Sequence, residues 1–157
     1  MMKRFHLPGF FLTICLLLPH GLYAYTPQQI SEWTEQTLMT TLTAGHHEKI
    51  SEAANVHRHY KHQAWRSMST FLNRYLGNQV ENNLRGQQIV FQPESILPAE
   101  IVAPEECGEA SCWRVHQSFI VPQIHRKLEF TAVVATANPA HASPLIIHTL
   151  DILISPY

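Results

Sequence analysis

Hydrophobic and polar positions alternate with a period of two through much of Cys112–Tyr157. In CWRVHQSFIVP, Trp113, Val115, Phe119 and Val121 alternate with Arg114, His116 and Ser118. That spacing places apolar side chains on one face of a strand and polar ones on the other. Pro122 and Gln123 interrupt the pattern. Leu128, Phe130, Ala132 and Val134 then alternate with Lys127, Glu129 and Thr131. Asn138-Pro139 marks a turn. Leu145–Ile154 is apolar on both faces, which predicts a central strand covered on both sides. Upstream, Thr26-Pro27-Gln28-Gln29 is a helix start with a capping box, and Ile30, Trp33, Thr34, Thr37, Leu38, Thr41 and Leu42 form one stripe at helical spacing. Gly45 ends that helix. A shorter helix is expected over His46–Asn55, with Ile50, Ala53 and Ala54 inward. A third spans Lys61 to Leu76 and carries Trp65, Met68, Phe71, Leu72, Tyr75 and Leu76 as core, with Gly77 as its stop.

The intervening stretch is harder to read. Asn78–Gly86 is polar and connects helix to sheet. Gln87–Glu94 is expected to be a first strand and Ser95–Pro104 a second. Pro93, Pro98 and Pro104 place these at an edge or at bulges. Glu105–Ser111 is expected to be an acidic hairpin tip. Helices first and sheet after predict an α+β fold, with the helices covering the sheet's apolar face.

The first 24 residues read as a signal peptide: Lys3 and Arg4, an apolar core Phe10–Leu18, then Leu22-Tyr23-Ala24. The core is shorter than the ~20 residues of a membrane-spanning helix. Cleavage is expected after Ala24, leaving Tyr25–Tyr157 as a single periplasmic domain; the rival reading is an uncleaved inner-membrane anchor. Without Lys3 and Arg4 the chain has nine basic against twelve acidic side chains, net −3. It lacks the clustered basic face of a nucleic-acid binder.

Export also frames the cysteines. Cys15 leaves with the signal, and Cys107 and Cys112 remain in CGEASC. In an oxidising compartment that spacing suits a disulfide, whose short loop contributes about 2 kcal/mol on the chain-entropy model. A redox dithiol or half a metal site is the alternative. A redox pair ordinarily opens a helix, whereas this pair leads into a strand.

Histidine is the one unusual count, with 11 in the chain. His57, His59 and His62 form H-x-H-x-x-H, and His46 and His47 are adjacent. Read as loop residues they are solvated, and neither a metal site nor any other cofactor is expected. There is no Gly-x-Ser-x-Gly elbow and no phosphate-binding glycine loop. Asp151 is the only aspartate, so an Asp-based triad or acid pair is hard to build. Its expected role is a cross-sheet pair with Lys127 or Arg126. His116 and His148 read as sheet-face residues. No catalytic residues are assigned.

The order of these features resembles the periplasmic domain of the DotI/IcmL proteins of the type IVB (Dot/Icm) secretion system. ISEWTEQTL resembles that family's first helix, with Trp33. YKHQAWRSMSTF resembles its aromatic helix, carried by Tyr60, Trp65, Phe71 and Leu72. SCWRVHQSFIVPQ resembles its strand from Trp113 to Pro122, and RKLEFTAVVATANPAHASPLIIHTLDI its last two strands. The resemblance spans about Ile30 to Ile154. It implies helices on a curved antiparallel sheet similar to nuclear transport factor 2 and cystatin. It also implies a non-enzymatic, protein-binding role, with secretion components or a second copy as partners. Family members usually carry a cytoplasmic stretch and a membrane helix before this domain. The short leader here therefore implies an exported, stand-alone copy. A fold of this kind can also house a pocket, so a small-ligand binder, an enzyme or a secreted effector is the alternative.

Overall fold

The computed structural model describes residues 25–44, 55–77, 92–107 and 110–157. Helix α1 is Pro27–Ala44 and helix α2 is His62–Phe71, continued by a π-helical turn Leu72–Gly77. Four strands follow: β1 Glu94–Cys107, β2 Ala110–Val121, β3 Arg126–Thr136 and β4 Leu145–Pro156. They form one antiparallel sheet in chain order, β1-β2-β3-β4. The fold is the expected α+β arrangement.

The start of α1 behaves as the capping box requires. Thr26 N–H donates to Gln29 Oε1 (2.9 Å), and Gln29 N–H donates to Thr26 Oγ1 (3.2 Å). The expected stripe is inward: Ile30, Thr34, Leu38, Thr41 and Leu42 are all essentially solvent-free. Buried threonines cost little here because their hydroxyls donate back along the helix. Thr34 Oγ1 donates to Ile30 O and Thr41 Oγ1 to Thr37 O, both at 2.7 Å. In α2, Ala64, Met68 and Phe71 are buried, with Trp65 and Leu72 packed beside them.

The two helices close one face of the sheet. α1 lies against β1 and α2 against β4. Between them Val115, Phe119, Val121, Leu128, Phe130, Ala132, Val134, Leu145, Ile147 and Leu150 form a single core with the helix stripes. Phe130 sits at its centre, edge-on to Phe119 (5.9 Å) and Phe71 (6.4 Å). Each aromatic pair adds about 0.5–1.5 kcal/mol beyond its burial.

Three expectations are corrected. β1 is one long strand, and its pairing runs past Pro104 to Cys107↔Ala110. Residues 105–107 and 110–111 are thus ladder, not hairpin tip, because main-chain pairing does not depend on their acidic side chains. Pro98 and Pro104 are accommodated because β1 is an edge strand among the described residues, with register breaks between Ser95/Leu97, Leu97/Glu100 and Ile101/Ala103.

β4 is not central but, among the described residues, the other end of the ladder. Its first half is apolar on both faces for local reasons. Leu145 and Ile147 enter the main core, while Ile146 packs on the opposite face with Cys112 and Ala135. Residues 59–61 then cover the edge, with Ile147 N–H donating to His59 O and Lys61 N–H donating to Ile147 O, each at 2.8 Å.

Asp151, lastly, does not meet Lys127 or Arg126. It lies opposite Thr131, Arg126 lies opposite Pro156, and Lys127 binds Glu129 at 2.8 Å.

The expected turns are present. Pro122–Ile124 is a 3-10 turn closed by His125 in the left-handed region (φ 50°). Asn138 Oδ1 accepts from Ala140 N–H (3.0 Å), and Asn138 O from His141 N–H (2.8 Å). The signal segment 1–24, most of the second helix expected over 46–55, the side chains of Tyr75 and Leu76, the 78–86 connection and most of the first strand expected at 87–94 lie outside the described residues.

Candidate functional site

The face that a cavity enzyme of this shape would use is filled. The core-facing side chains of β2, β3 and β4 are the apolar ones named above, with Gln117 the polar exception among the described residues. Gln117 is buried, and its Nε2 donates to Ser95 Oγ (2.8 Å) and Ser118 O (3.1 Å). Among the described residues, the grooves that could take an ion or ligand lie at the surface.

The histidine run is divided by its aromatic neighbours. His57 is exposed and lies over the Trp65 ring (4.9 Å). His59 meets the edge of Trp33 (5.8 Å), and its Nδ1 lies 3.0 Å from Ser143 Oγ. Ser143 Oγ donates to Leu145 O at 2.7 Å, so His59 Nδ1 must carry the proton of that contact. Burial holds the His59 imidazolium below its ordinary range, with Arg58 and then His141 adding to the effect. His62 is exposed at the start of α2. Among the described residues no three His, Cys, Asp or Glu side chains converge as a metal site would need. His46 and His47 lie outside them.

Tyr60 is the buried polar group that joins α1 to the sheet. Its hydroxyl lies 2.6 Å from Thr41 Oγ1. Burial raises its pKa far above the usual phenol value. Cys112 is buried and disulfide-bonded, while the Cys107 side chain lies outside the described ones.

Grooves on the surface are lined by described residues. One of about 750 Å³ lies between Tyr25, Trp113 and the loop at 137–144. A smaller one of about 430 Å³ crosses the open sheet face, where His116, Thr131 and Asp151 form a row across β2, β3 and β4. The third, about 730 Å³, runs between α2 and the outer edge of β4. Sequence reasoning missed this groove, because α2 and β4 are adjacent only in the fold.

This architecture, helices on one face of an antiparallel sheet, is similar to that of three solved structures. The periplasmic domain of DotI superposes with a TM-score of 0.62 at 11% identity, covering 87% of this chain and 100% of that one. An IcmL-like type IV secretion system protein from Legionella pneumophila gives 0.58 at 12% identity, over 85% of this chain and 97% of that one. A periplasmic fragment of TraM gives 0.62 at 8% identity, over 84% and 100%. No protein-family model and no curated protein matches the chain. At these identities the likeness concerns the fold. Among the described residues no helix is long and apolar enough to cross a membrane.

Proposed function

We propose that this chain is a non-enzymatic periplasmic protein that acts through its surfaces as a component of a type IVB secretion apparatus. One observation carries the reading. The fold shared with DotI, the IcmL-like protein and TraM is retained with its sheet face packed solid by Phe119, Phe130, Met68 and their neighbours. A domain built this way has edges and outer faces to offer, and edges are a ready route to protein pairing.

In this reading residues 1–24 direct export and are removed after Ala24, and Cys107 pairs with Cys112 in the oxidising compartment. Its partners are other secretion components or a second copy. Crosslinking in cells followed by affinity capture tests it: recovery of secretion-system proteins is expected, and capture of none of them refutes it. The intact mass of the exported chain, with and without reductant, tests the cleavage site and the disulfide together.

A further inference from the structure

The two edges of the sheet are built differently. β1 is blunted by Pro98, Pro104 and three register breaks, the devices that keep an edge from pairing. β4 has no proline between Leu145 and Ser155, and its one register break lies beside Val133/Val134, at the end already covered. There, residues 59–61 pair with Ile147 in parallel. The chain then turns away into α2, and from Leu150 to Ile154 the edge runs along the 730 Å³ groove with no strand beside it among the described residues. The exposed Leu153, 63% accessible, lies there.

The far wall of the groove is a polar stripe of α2 and its continuation: Gln63, Arg66, Ser67, Thr70 and Arg74. Among the described residues neither Arg66 nor Arg74 is in an ion pair. Among the described residues the one acidic group lining the groove is Asp151, which also lines the smaller groove on the sheet's open face.

Resting on the reading above, we infer that the β4 edge at Leu150–Ile154 accepts an extended segment of a partner protein as an added strand, whose carboxylates face Arg66 and Arg74. The geometry specifies the pattern. Arg66 and Arg74 are eight residues apart, about 12 Å along a helix. Four strand residues cover about 13 Å. Acidic residues at i and i+4 of the added strand therefore share one face and match the two guanidinium groups. The alternate positions lie beside Leu153 and Asp151, which selects apolar or uncharged side chains and disfavours further acids.

A second copy of this chain fits poorly. Pairing two β4 edges would set α2 against α2 and bring Arg66 and Arg74 against their equivalents, a like-charge contact.

Fluorescence anisotropy with the full chain tests this. The probe is a labelled peptide of about ten residues, β-branched and polar in alternation, with glutamates at i and i+4. Saturable binding is expected. Arg66→Glu with Arg74→Glu weakens it at least about tenfold, and lysines in place of the peptide glutamates restore it. Both arginines are exposed, so the variant is expected to fold, as circular dichroism will show. N-methylation of alternate peptide amides abolishes binding, since main-chain pairing needs them. Absent binding, unchanged binding by the charge-reversed chain or the methylated peptide, or a chain dimer that the peptide dissociates, overturns the inference. If the charge-reversed chain still crosslinks to the same secretion components in cells, the edge inference falls and the broader reading stands. If neither form crosslinks to any, the broader reading falls independently of the peptide result.

Discussion

Replacing Tyr60 with phenylalanine removes one oxygen from the point where α1, the 59–61 segment and β4 meet. The effect can be worked out from the proton count. Thr41 has a single hydroxyl proton and gives it to Thr37 O (2.7 Å). At the 2.6 Å contact with Tyr60 the phenol must therefore be the donor. Tyr60→Phe deletes that donor and leaves Thr41 still bonded, so the loss is about 1 kcal/mol. Thr41→Val instead strands a fully buried phenol O–H without its acceptor and costs about 1–3 kcal/mol. With both changes no polar group is stranded, and the double variant is more stable than Thr41→Val alone. Urea midpoints at unchanged slope measure all three, and one kcal/mol corresponds to about 3–5 °C in Tm at this size. The linkage has a definite sign. The folded state keeps the Tyr60 proton when the unfolded phenol, at its ordinary 10.0, has lost it. This contribution is complete below that pH and is lost as pH rises above it. Tyr60→Phe should flatten the alkaline limb. A Tyr60→Phe cost equal to that of Thr41→Val, or simple additivity in the double variant, would refute the donor assignment.

Other perturbations test other parts of the fold. The folded state resists protonating His59, so its contribution is present above the unfolded value of 6.5 and is lost as pH falls below it. Thermal unfolding should show stability declining on acidification, with a shallower slope in His59→Gln. Phe130→Ala opens a cavity between Phe71 and Phe119 and should cost about 3–5 kcal/mol in chemical denaturation. His125 holds a positive φ of 50°. His125→Gly should therefore be neutral or stabilising by up to about 1 kcal/mol despite losing the Tyr157 ring contact, whereas His125→Val should destabilise. Cys112→Ser should lower stability by about 2 kcal/mol and remove the mobility difference between reduced and oxidised chain.

What the sequence discloses about this fold depends on whether each signal is local. The α1 cap and stripe, Trp65, Met68, Phe71 and Leu72 of the aromatic helix and the two faces of β2 and β3 rest on near neighbours, and each is found where the spacing places it. β4 was legible as a strand and illegible as an edge. Its apolar second face comes from Ile146 meeting Cys112 and Ala135, and its cover comes from a segment whose His59 reaches Ser143 across 84 residues. Nothing in LIIHTLDILIS distinguishes that from burial in mid-sheet. The prolines of β1 did announce an edge, because proline removes a donor wherever it stands.

That asymmetry bears on function. Arg66, Thr70 and Arg74 read in isolation as the solvated side of a helix, and Leu150–Ile154 as core. Only the strand order makes them the two walls of one groove. An edge defended by prolines needs no partner to remain soluble, whereas one with no strand beside it among the described residues, next to two cations outside any ion pair there, invites association. A partner that docks there must supply both what the main chain lacks and what the arginines lack. For this reason the inference names a strand and its charges together: a carboxylate-rich helix would satisfy the arginines and leave the β4 amides unpaired, and a neutral strand would do the reverse.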